Sequence, residues 1–140
     1  ASGTWYLYTE ASSNTNNTGN IETPCFDLTG ISDAVFSFNY HMYGFSMGTL
    51  NVDISTDSGT TYPTNLWTQT GGVQTSDTEP WNFVSIDLSS YSGQTVKIRI
   101  QCQNSMHTLA KSELRTRCNS RHLFRFAAMW LQIWSCILSH

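Results

Sequence analysis

The first hundred residues alternate between apolar and polar positions with the period of a β-strand. The alternation is clearest in three segments, in which every second side chain is apolar: Phe36, Phe38, Tyr40 and Met42; Leu50, Val52 and Ile54; Val96, Ile98 and Ile100. Successive side chains of a strand point to opposite faces of a sheet, so each segment is predicted to be a strand that buries one face. Weaker signals of the same kind lie at residues 5–10, 21–23, 66–69 and 81–88.

Polar, turn-forming segments separate these strands and indicate the fold class. Residues 14–20, 56–65 and 70–80 are rich in Gly, Pro, Asn, Ser and Thr, which favour turns. Residues 1–101 contain no long apolar stripe of helical period. Several short strands with one apolar face each are typical of two packed antiparallel sheets. Residues 1–101 are therefore predicted to form an all-β sandwich or jelly roll.

The composition narrows the class of protein. The chain has 140 residues, enough for one domain with a hydrophobic core. Its charged residues make up 12% and its formal net charge is −3, which argues against a nucleic-acid groove or a basic patch for anionic membranes. The longest nearly apolar run, residues 126–138, is too short to span a bilayer. Because the chain starts at Ala1 and shows no signal peptide, we expect a fragment of a larger protein.

The sequence changes character near residue 102. Residues 1–101 have nine acidic and two basic residues, a formal charge of −7, whereas residues 102–140 have one acidic and five basic residues, a charge of +4. Strand alternation stops at Gln101, and apolar residues recur at helical spacing between Leu123 and Leu138. We therefore expect residues 102–140 to be an atypical, helical tail. Our preferred hypothesis for its origin is that a change of reading frame near residue 102 replaced the last strand of the sandwich with unrelated sequence.

Residues 55–62, Ser-Thr-Asp-Ser-Gly-Thr-Thr-Tyr, match the pattern of an Asp-box hairpin. In such a turn Asp57 would bond nearby backbone N–H groups, Gly59 would take a positive φ, and Tyr62 would close the turn over an apolar neighbour. Asp-boxes recur in the blades of sialidases, but one copy makes no propeller, and Arg99 alone cannot form the arginine cluster of a sialidase. The motif therefore predicts a stable hairpin.

Several short motifs occur along the chain in the same order as in a known family of domains. They are Tyr6-Leu7-Tyr8-Thr9-Glu10-Ala11-Ser12, Ile21-Glu22-Thr23-Pro24, Phe36-Ser37-Phe38, Tyr40-His41-Met42-Tyr43-Gly44 and Met47-Gly48-Thr49-Leu50-Asn51-Val52, followed by Trp67 and Trp81. Together they resemble the MAM domain, of the concanavalin A-like jelly-roll superfamily, over residues 4–101. The low charge and the Thr- and Asn-rich sequence are similar to those of bacterial secreted members.

This resemblance implies a β-sandwich jelly roll in a secreted or cell-surface protein. It implies a non-catalytic adhesion or recognition module that binds a protein or a glycan at a cell surface, with self-association left open. The family's opening strand and its acidic last strand are not recognisable, so the domain at 1–101 is expected to be incomplete at both ends. Members that bind a cation use acidic residues near those ends, so no metal site is carried over.

No catalytic arrangement is recognisable in the sandwich. His41, the only histidine before residue 107, lies in a predicted strand, where we expect a structural role rather than that of a general base. A glycosidase needs two carboxylates at the scissile bond, and Glu10, Glu22 and Glu79 stand far apart in the sequence. The chain is therefore predicted not to be an enzyme.

The acidic loops show no metal motif. The spacing of Asp53, Ser55 and Asp57 resembles a calcium loop, but Gly59 falls at position seven rather than six, and position twelve is Thr64 rather than Glu. We predict no cofactor. A structural cation such as calcium is not supported by the residues present, and the metal content stays unknown.

Carbohydrate binding is the alternative function. Carbohydrate-binding modules stack sugar rings on exposed aromatic side chains, and β-sandwiches often host such sites. Trp67 and Trp81 follow turn-rich segments and are predicted to be only partly buried, which makes them the candidate ligand-binding residues. In this alternative the chain is a module attached to a secreted hydrolase. The ligand, the parent protein, the oligomeric state and any pairing of Cys25 with Cys102 stay open.

Overall fold

The computed structural model describes residues 6–10, 18–44, 47–103 and 123–132; for residues 6, 8–10 and 123–132 it describes the backbone. The strands of this part of the chain are β1 (Tyr6–Glu10), β2 (Thr18–Glu22), β3 (Phe26–Asp27), β4 (Val35–Tyr43), β5 (Thr49–Ser55), β6 (Thr64–Thr70), β7 (Asn82–Asp87), β8 (Thr95–Gln103) and β9 (Leu123–Gln132). A short 3₁₀ turn, Ser89–Tyr91, joins β7 to β8. The strands predicted at the clear and the weaker alternations are all present, with ends shifted by a few residues.

The strands form two antiparallel sheets. In the four-stranded sheet the order is β1-β9-β4-β7, and in the second sheet it is β2-β8-β5-β6, with β3 also paired to β8. Apart from β5 and β6, which are consecutive along the chain, neighbouring strands are separated by other strands in the sequence, so connections cross between the sheets. The prediction of a two-sheet antiparallel sandwich is confirmed.

The core between the sheets follows the predicted alternation. Most of its largest fully buried side chains are supplied by β4, β5 and β8: Phe36, Phe38 and Met42; Leu50, Val52 and Ile54; Ile98 and Ile100. Burying one such side chain stabilises the fold by roughly 1.5–3 kcal/mol, so this layer holds the sheets together.

A β-bulge in β6 turns two consecutive side chains toward the core. In the register between β5 and β6, Val52 lies opposite Trp67. The next residue of β5, Asp53, lies opposite Asn65, so Leu66 is an extra residue in β6. A bulge breaks the strict alternation of side chains. Leu66 and Trp67 consequently both pack against the core.

Residues 123–132 form a strand, so the prediction of a helix over this part of the tail is wrong. β9 lies between β1 and β4 and pairs with both. A short apolar run fits a buried strand as well as a helix, and periodicity cannot separate the two. Pairing decides in favour of a strand here, because β9 satisfies backbone groups of both neighbours. Residues 133–138 of the predicted helix lie outside the described residues, and the change of reading frame stays a prediction.

Cys25 and Cys102 form no disulfide with each other. Cys25 is exposed and Cys102 is buried. Phe26 lies opposite Val96 in β8, so Cys25 falls five residues along β8 from Cys102. At roughly 3.3 Å per residue the two are about 16 Å apart, well beyond the Cα separation of about 7 Å that a disulfide tolerates.

Candidate functional site

The two outer sides of the sandwich expose different chemistry. The polar face is the outer side of the second sheet, and it carries Asn20, Glu22, Asn51, Asp53, Asn65, Thr68, Lys97, Arg99 and Gln101. The aromatic face is the outer side of the four-stranded sheet at β4 and β7, and it carries Asn39, His41, Trp81 and Phe83. Both sets alternate with core residues of the same strands.

Side chains of the polar face bond to one another across the strands. Facing positions on neighbouring strands bring amide and hydroxyl groups within reach of each other. Three hydrogen bonds result: from Thr68 Oγ1 to Asn51 Oδ1 (2.8 Å), from Gln101 Nε2 to Asn20 Oδ1 (3.1 Å) and from Asn65 Nδ2 to Asp53 Oδ1 (2.9 Å).

Two ion pairs complete the polar face. Arg99 Nη2 lies 2.8 Å from Asp53 Oδ2, and Lys97 Nζ lies 2.7 Å from Glu22 Oε2. The hydrogen bond from Lys97 holds the pKa of Glu22 below its usual value, and the same bond raises the pKa of Lys97. Each charge of this face therefore has an opposite charge beside it, and the face has little unpaired charge to offer a ligand.

Tyr62 lies over Arg99 and not over an apolar neighbour, so that detail of the predicted hairpin is wrong. The guanidinium carbon of Arg99 is 4.2 Å from the centre of the Tyr62 ring. A guanidinium over an aromatic face is attracted by the ring's quadrupole. Burial of Tyr62 raises the pKa of its hydroxyl. The hairpin thus closes on the ion pair of β5 and β8.

The hairpin itself has the predicted local structure. The Asp57 carboxylate accepts hydrogen bonds from Ser55 Oγ (2.6 Å), Thr61 N (2.9 Å) and Thr61 Oγ1 (2.7 Å). These bonds hold the pKa of Asp57 far below its usual value. Gly59 has a φ of +90°, and a Cβ there would lie 2.8 Å from Lys97 Cδ. The Asp-box is therefore a structural turn that packs against the polar face.

On the other side of the molecule, residues 71–81 form a strap along the end of β4. Gln74 Oε1 accepts a hydrogen bond from Met42 N (2.7 Å), and Gln74 Nε2 donates one to the carbonyl of Pro80 (3.2 Å). The backbone of Gly72 passes so close to Gly44 that a Cβ on Gly72 would lie 2.5 Å from the Gly44 carbonyl oxygen. The strap therefore fixes where Trp81 and the start of β7 lie.

His41 lies beneath this end of the strap. It is 1% exposed, and its ring centre is 5.6 Å from that of Trp81. Its neighbours Tyr40 and Met42 point into the core, so His41 lies on the opposite side of the sheet. A histidine so enclosed has no access to a substrate, in keeping with the structural role that its position in the sequence predicts.

Phe83 is the feature of this site that the sequence analysis missed. It lies in β7 opposite Asn39, and its side chain is 66% exposed. The sequence did contain a signal, because Val84 and Ile86 set the apolar phase of β7 and Phe83 falls in the polar phase with Ser85. Phe83 therefore places a large apolar side chain on the outer side of the four-stranded sheet.

The two predicted ligand-binding tryptophans do not share a surface. Trp67 is half-buried and packs edge-on against Phe38 and Tyr40, with ring centres 5.4 and 5.1 Å apart. Trp81 is also half-buried, but it lies against His41 on the far side of the four-stranded sheet. Both are partly buried as predicted, and their role in ligand binding stays a prediction.

Two carboxylates outside the polar face, those of Asp27 and Asp87, are engaged by their own turns. Asp27 accepts a hydrogen bond from Thr29 N (2.9 Å), and Asp87 accepts one from Ser89 N (2.8 Å). Within the described ranges, no group of three His, Cys, Asp or Glu side chains is placed to hold a metal ion.

None of the helices described there is long and apolar enough to cross a membrane.

The described strands define an all-β sandwich of two antiparallel sheets. The model of the family "MAM domain, meprin/A5/mu" matches residues 1–114, and the chain belongs to this family. MAM domains have the concanavalin A-like jelly-roll fold and occur in extracellular and cell-surface proteins, as non-catalytic, adhesion-type modules of larger chains.

Proposed function

We propose that this chain is a non-catalytic recognition module of a larger secreted or cell-surface protein, and that it binds a protein partner through the aromatic face. The observation that carries the proposal is the 66% exposure of Phe83. Half-buried Trp81 lies two residues before it, and Asn39 lies opposite it. An apolar centre with short polar neighbours is the usual composition of a protein interface.

The polar groups of the described residues support a binding role over a catalytic one. His41 is buried, and the carboxylates of Glu22 and Asp53 are each paired with a basic side chain. A general acid or base has to reach its substrate with a proton to give or accept. These groups are instead engaged in holding the sandwich together.

A protein partner is favoured over a glycan because of how the tryptophans lie. A sugar-stacking platform needs aromatic rings that are exposed side by side. Trp67 packs against the core, which leaves Trp81 as the sole member of the predicted pair on an outer side. The carbohydrate-binding alternative would therefore depend on Trp81 and Phe83 together.

An array experiment tests the proposed function. The full chain, fluorescently labelled, is applied to an array of purified cell-surface and extracellular-matrix proteins and to a glycan array. Saturable binding to a protein that is lost in Phe83→Ala supports the proposal. The control is Thr68→Ala, which changes the polar face and should leave binding unchanged. Saturable sugar binding that is lost in Trp81→Ala favours the alternative. Protein binding that survives Phe83→Ala contradicts the proposed surface.

A further inference from the structure

β7 is the last strand of the four-stranded sheet as described. It pairs with β4 at six consecutive positions without a bulge, from Val35 opposite Asp87 to Tyr40 opposite Asn82. Its other edge has no strand beside it among the residues that the structure describes. The edge of a sheet presents backbone N–H and C=O groups that another strand can pair with.

The hydrogen bond beyond the end of β7 shows which residues direct their backbone groups to that edge. Leu88 N donates to the carbonyl of Ala34 (2.9 Å), one step beyond the pair of Val35 and Asp87. Backbone groups alternate in direction along an antiparallel strand. Even-numbered residues of β7 therefore face β4, and Phe83, Ser85 and Asp87 direct their N–H and C=O groups outward.

β7 also lacks the features that protect an edge strand from pairing. Edge strands are commonly protected by lysines, prolines, bulges or very short length. β6, at one edge of the second sheet, has the bulge at Leu66 and follows Pro63. β7 has six residues in unbroken register, and Asp87 at its end is its one charge. Of these two edges, β7 is the better template for an added strand.

We propose that the protein partner adds an extended segment to the free edge of β7, and that this segment is basic where it meets Asp87 and apolar where it meets Phe83. The inference rests on the proposed function and names the partner's chemistry. Hydrogen bonds from Ser89 lower the pKa of Asp87, so the carboxylate stays ionised. The formal net charge of the chain, −3, likewise favours a basic segment over an acidic one.

A synthetic peptide provides the probe. The capped hexapeptide Lys-Val-Thr-Val-Tyr-Thr, laid antiparallel to β7, would place lysine opposite Asp87 and tyrosine opposite Phe83. It is titrated into the ¹⁵N-labelled full chain and followed by two-dimensional NMR. We expect saturable shifts centred on the amides of Phe83, Ser85 and Asp87, with slower hydrogen exchange at these three. A peptide with glutamate in place of lysine should bind more weakly, because it meets Asp87 with a like charge.

Strand addition can be distinguished from side-chain contact by removing one backbone hydrogen bond between β7 and the peptide, either in the protein or in the peptide. Ser85→Pro deletes the outward N–H of β7, a position where an edge strand tolerates proline, while Ser85→Ala keeps it. We expect Ser85→Pro to weaken binding about tenfold and Ser85→Ala to change it little. Methylation of the peptide nitrogen opposite Ser85 has the same purpose and cannot unfold the protein.

Three results would overturn the inference. The first is equal binding by Ser85→Pro and Ser85→Ala together with equal binding by the methylated peptide. The second is a set of shifts centred on β6. The third is concentration-dependent broadening of the β7 amides without peptide, which would make a second copy the occupant. If Phe83→Ala abolishes protein binding on the array while Ser85→Pro does not, strand addition is wrong and the proposed function stands.

Discussion

The polar face and the aromatic face lie on the two sides of one sandwich, yet their side chains are used in opposite ways. On the polar face the charged groups of Arg99, Asp53, Lys97 and Glu22 are paired with each other, and the amides bond across the strands. On the aromatic face His41 is enclosed while Phe83 extends into solvent. A paired polar group gains little from a ligand, since a bond to the ligand replaces one already made. Exposed apolar area gains from any partner that covers it.

This difference separates stability from recognition. Changes on the polar face should lower the free energy of unfolding and leave binding in place. A change at Phe83 should weaken binding and leave the free energy of unfolding nearly unchanged. Substitutions at matched positions can therefore test the comparison one residue at a time.

The largest effect is expected from two phenylalanines on adjacent strands. Phe38 is 1% exposed in β4, and Phe83 is largely exposed in β7. Phe38→Ala should lower the free energy of unfolding by about 3–5 kcal/mol, because it leaves a cavity among the core aromatics. Phe83→Ala should change it by less than about 0.5 kcal/mol, because nothing packed is lost.

Urea denaturation followed by tryptophan fluorescence measures both free energies. Equal losses in the two variants would mean that Phe83 is a packing residue, and the aromatic face would lose its assigned role. The array experiment can be interpreted only if the Phe83→Ala variant keeps its fold.

The next effect concerns the ion pair at the centre of the polar face. Arg99→Ala leaves the Asp53 carboxylate, whose side chain is 11% exposed, without its charged partner. It also removes the guanidinium from the Tyr62 ring. We expect a loss of about 2 kcal/mol, the typical worth of a hydrogen bond to a charged group together with the cost of leaving it unmade.

Gln101→Ala is the matched control, two residues along the same strand. It removes one exposed hydrogen bond to Asn20 and should cost about 0.5 kcal/mol. A double-mutant cycle of Arg99→Ala with Asp53→Ala isolates the pair energy. If the cycle gives no coupling, the polar face is not held together by its charges.

Features that depend on neighbouring residues were predictable from the sequence. The alternation of β4, β5 and β8 fixed their core positions, and the Asp-box pattern predicted the turn around Asp57. In both cases the interacting groups lie within a few residues of each other, or follow from the period of the strand alone. Conformational preferences of this kind are visible in a short window of sequence.

Features that depend on pairing between distant strands were not predictable. The bulge at Leu66, the ring of Tyr62 over Arg99 and the strand form of residues 123–132 all arise when separate segments meet. Periodicity describes one segment at a time and contains no register. The aromatic face is an intermediate case. The outward direction of Phe83 could be predicted from the alternation in β7, but the position of Trp81 near it depends on the strap, whose contacts with β4 the sequence does not reveal.

The smallest effect concerns acid and again compares the two sides. The pKa of Asp57 lies far below the usual 3.8, chiefly because of the hydrogen bond from Ser55. A carboxylate whose pKa is lower in the folded state contributes stability above its unfolded pKa, and this contribution is lost as the pH falls through the folded value. The melting temperature should therefore fall between pH 5 and pH 2, as the pH drops past the unfolded value of about 3.8 toward the lower folded value.

Asp57→Asn should reduce this acid sensitivity, since asparagine has no proton to take up. Asp87→Asn, on the side of the aromatic face, is the matched variant. The pKa of Asp87 is lowered by hydrogen bonds from Ser89 alone, fewer than Asp57 accepts. We expect the fall in melting temperature to be reduced more by Asp57→Asn than by Asp87→Asn, measured by circular dichroism at the two pH values. The reverse order would place the acid-sensitive structure at the end of β7. The free edge would then be weakened by acid before the hairpin, against the assignment of stability to the polar face.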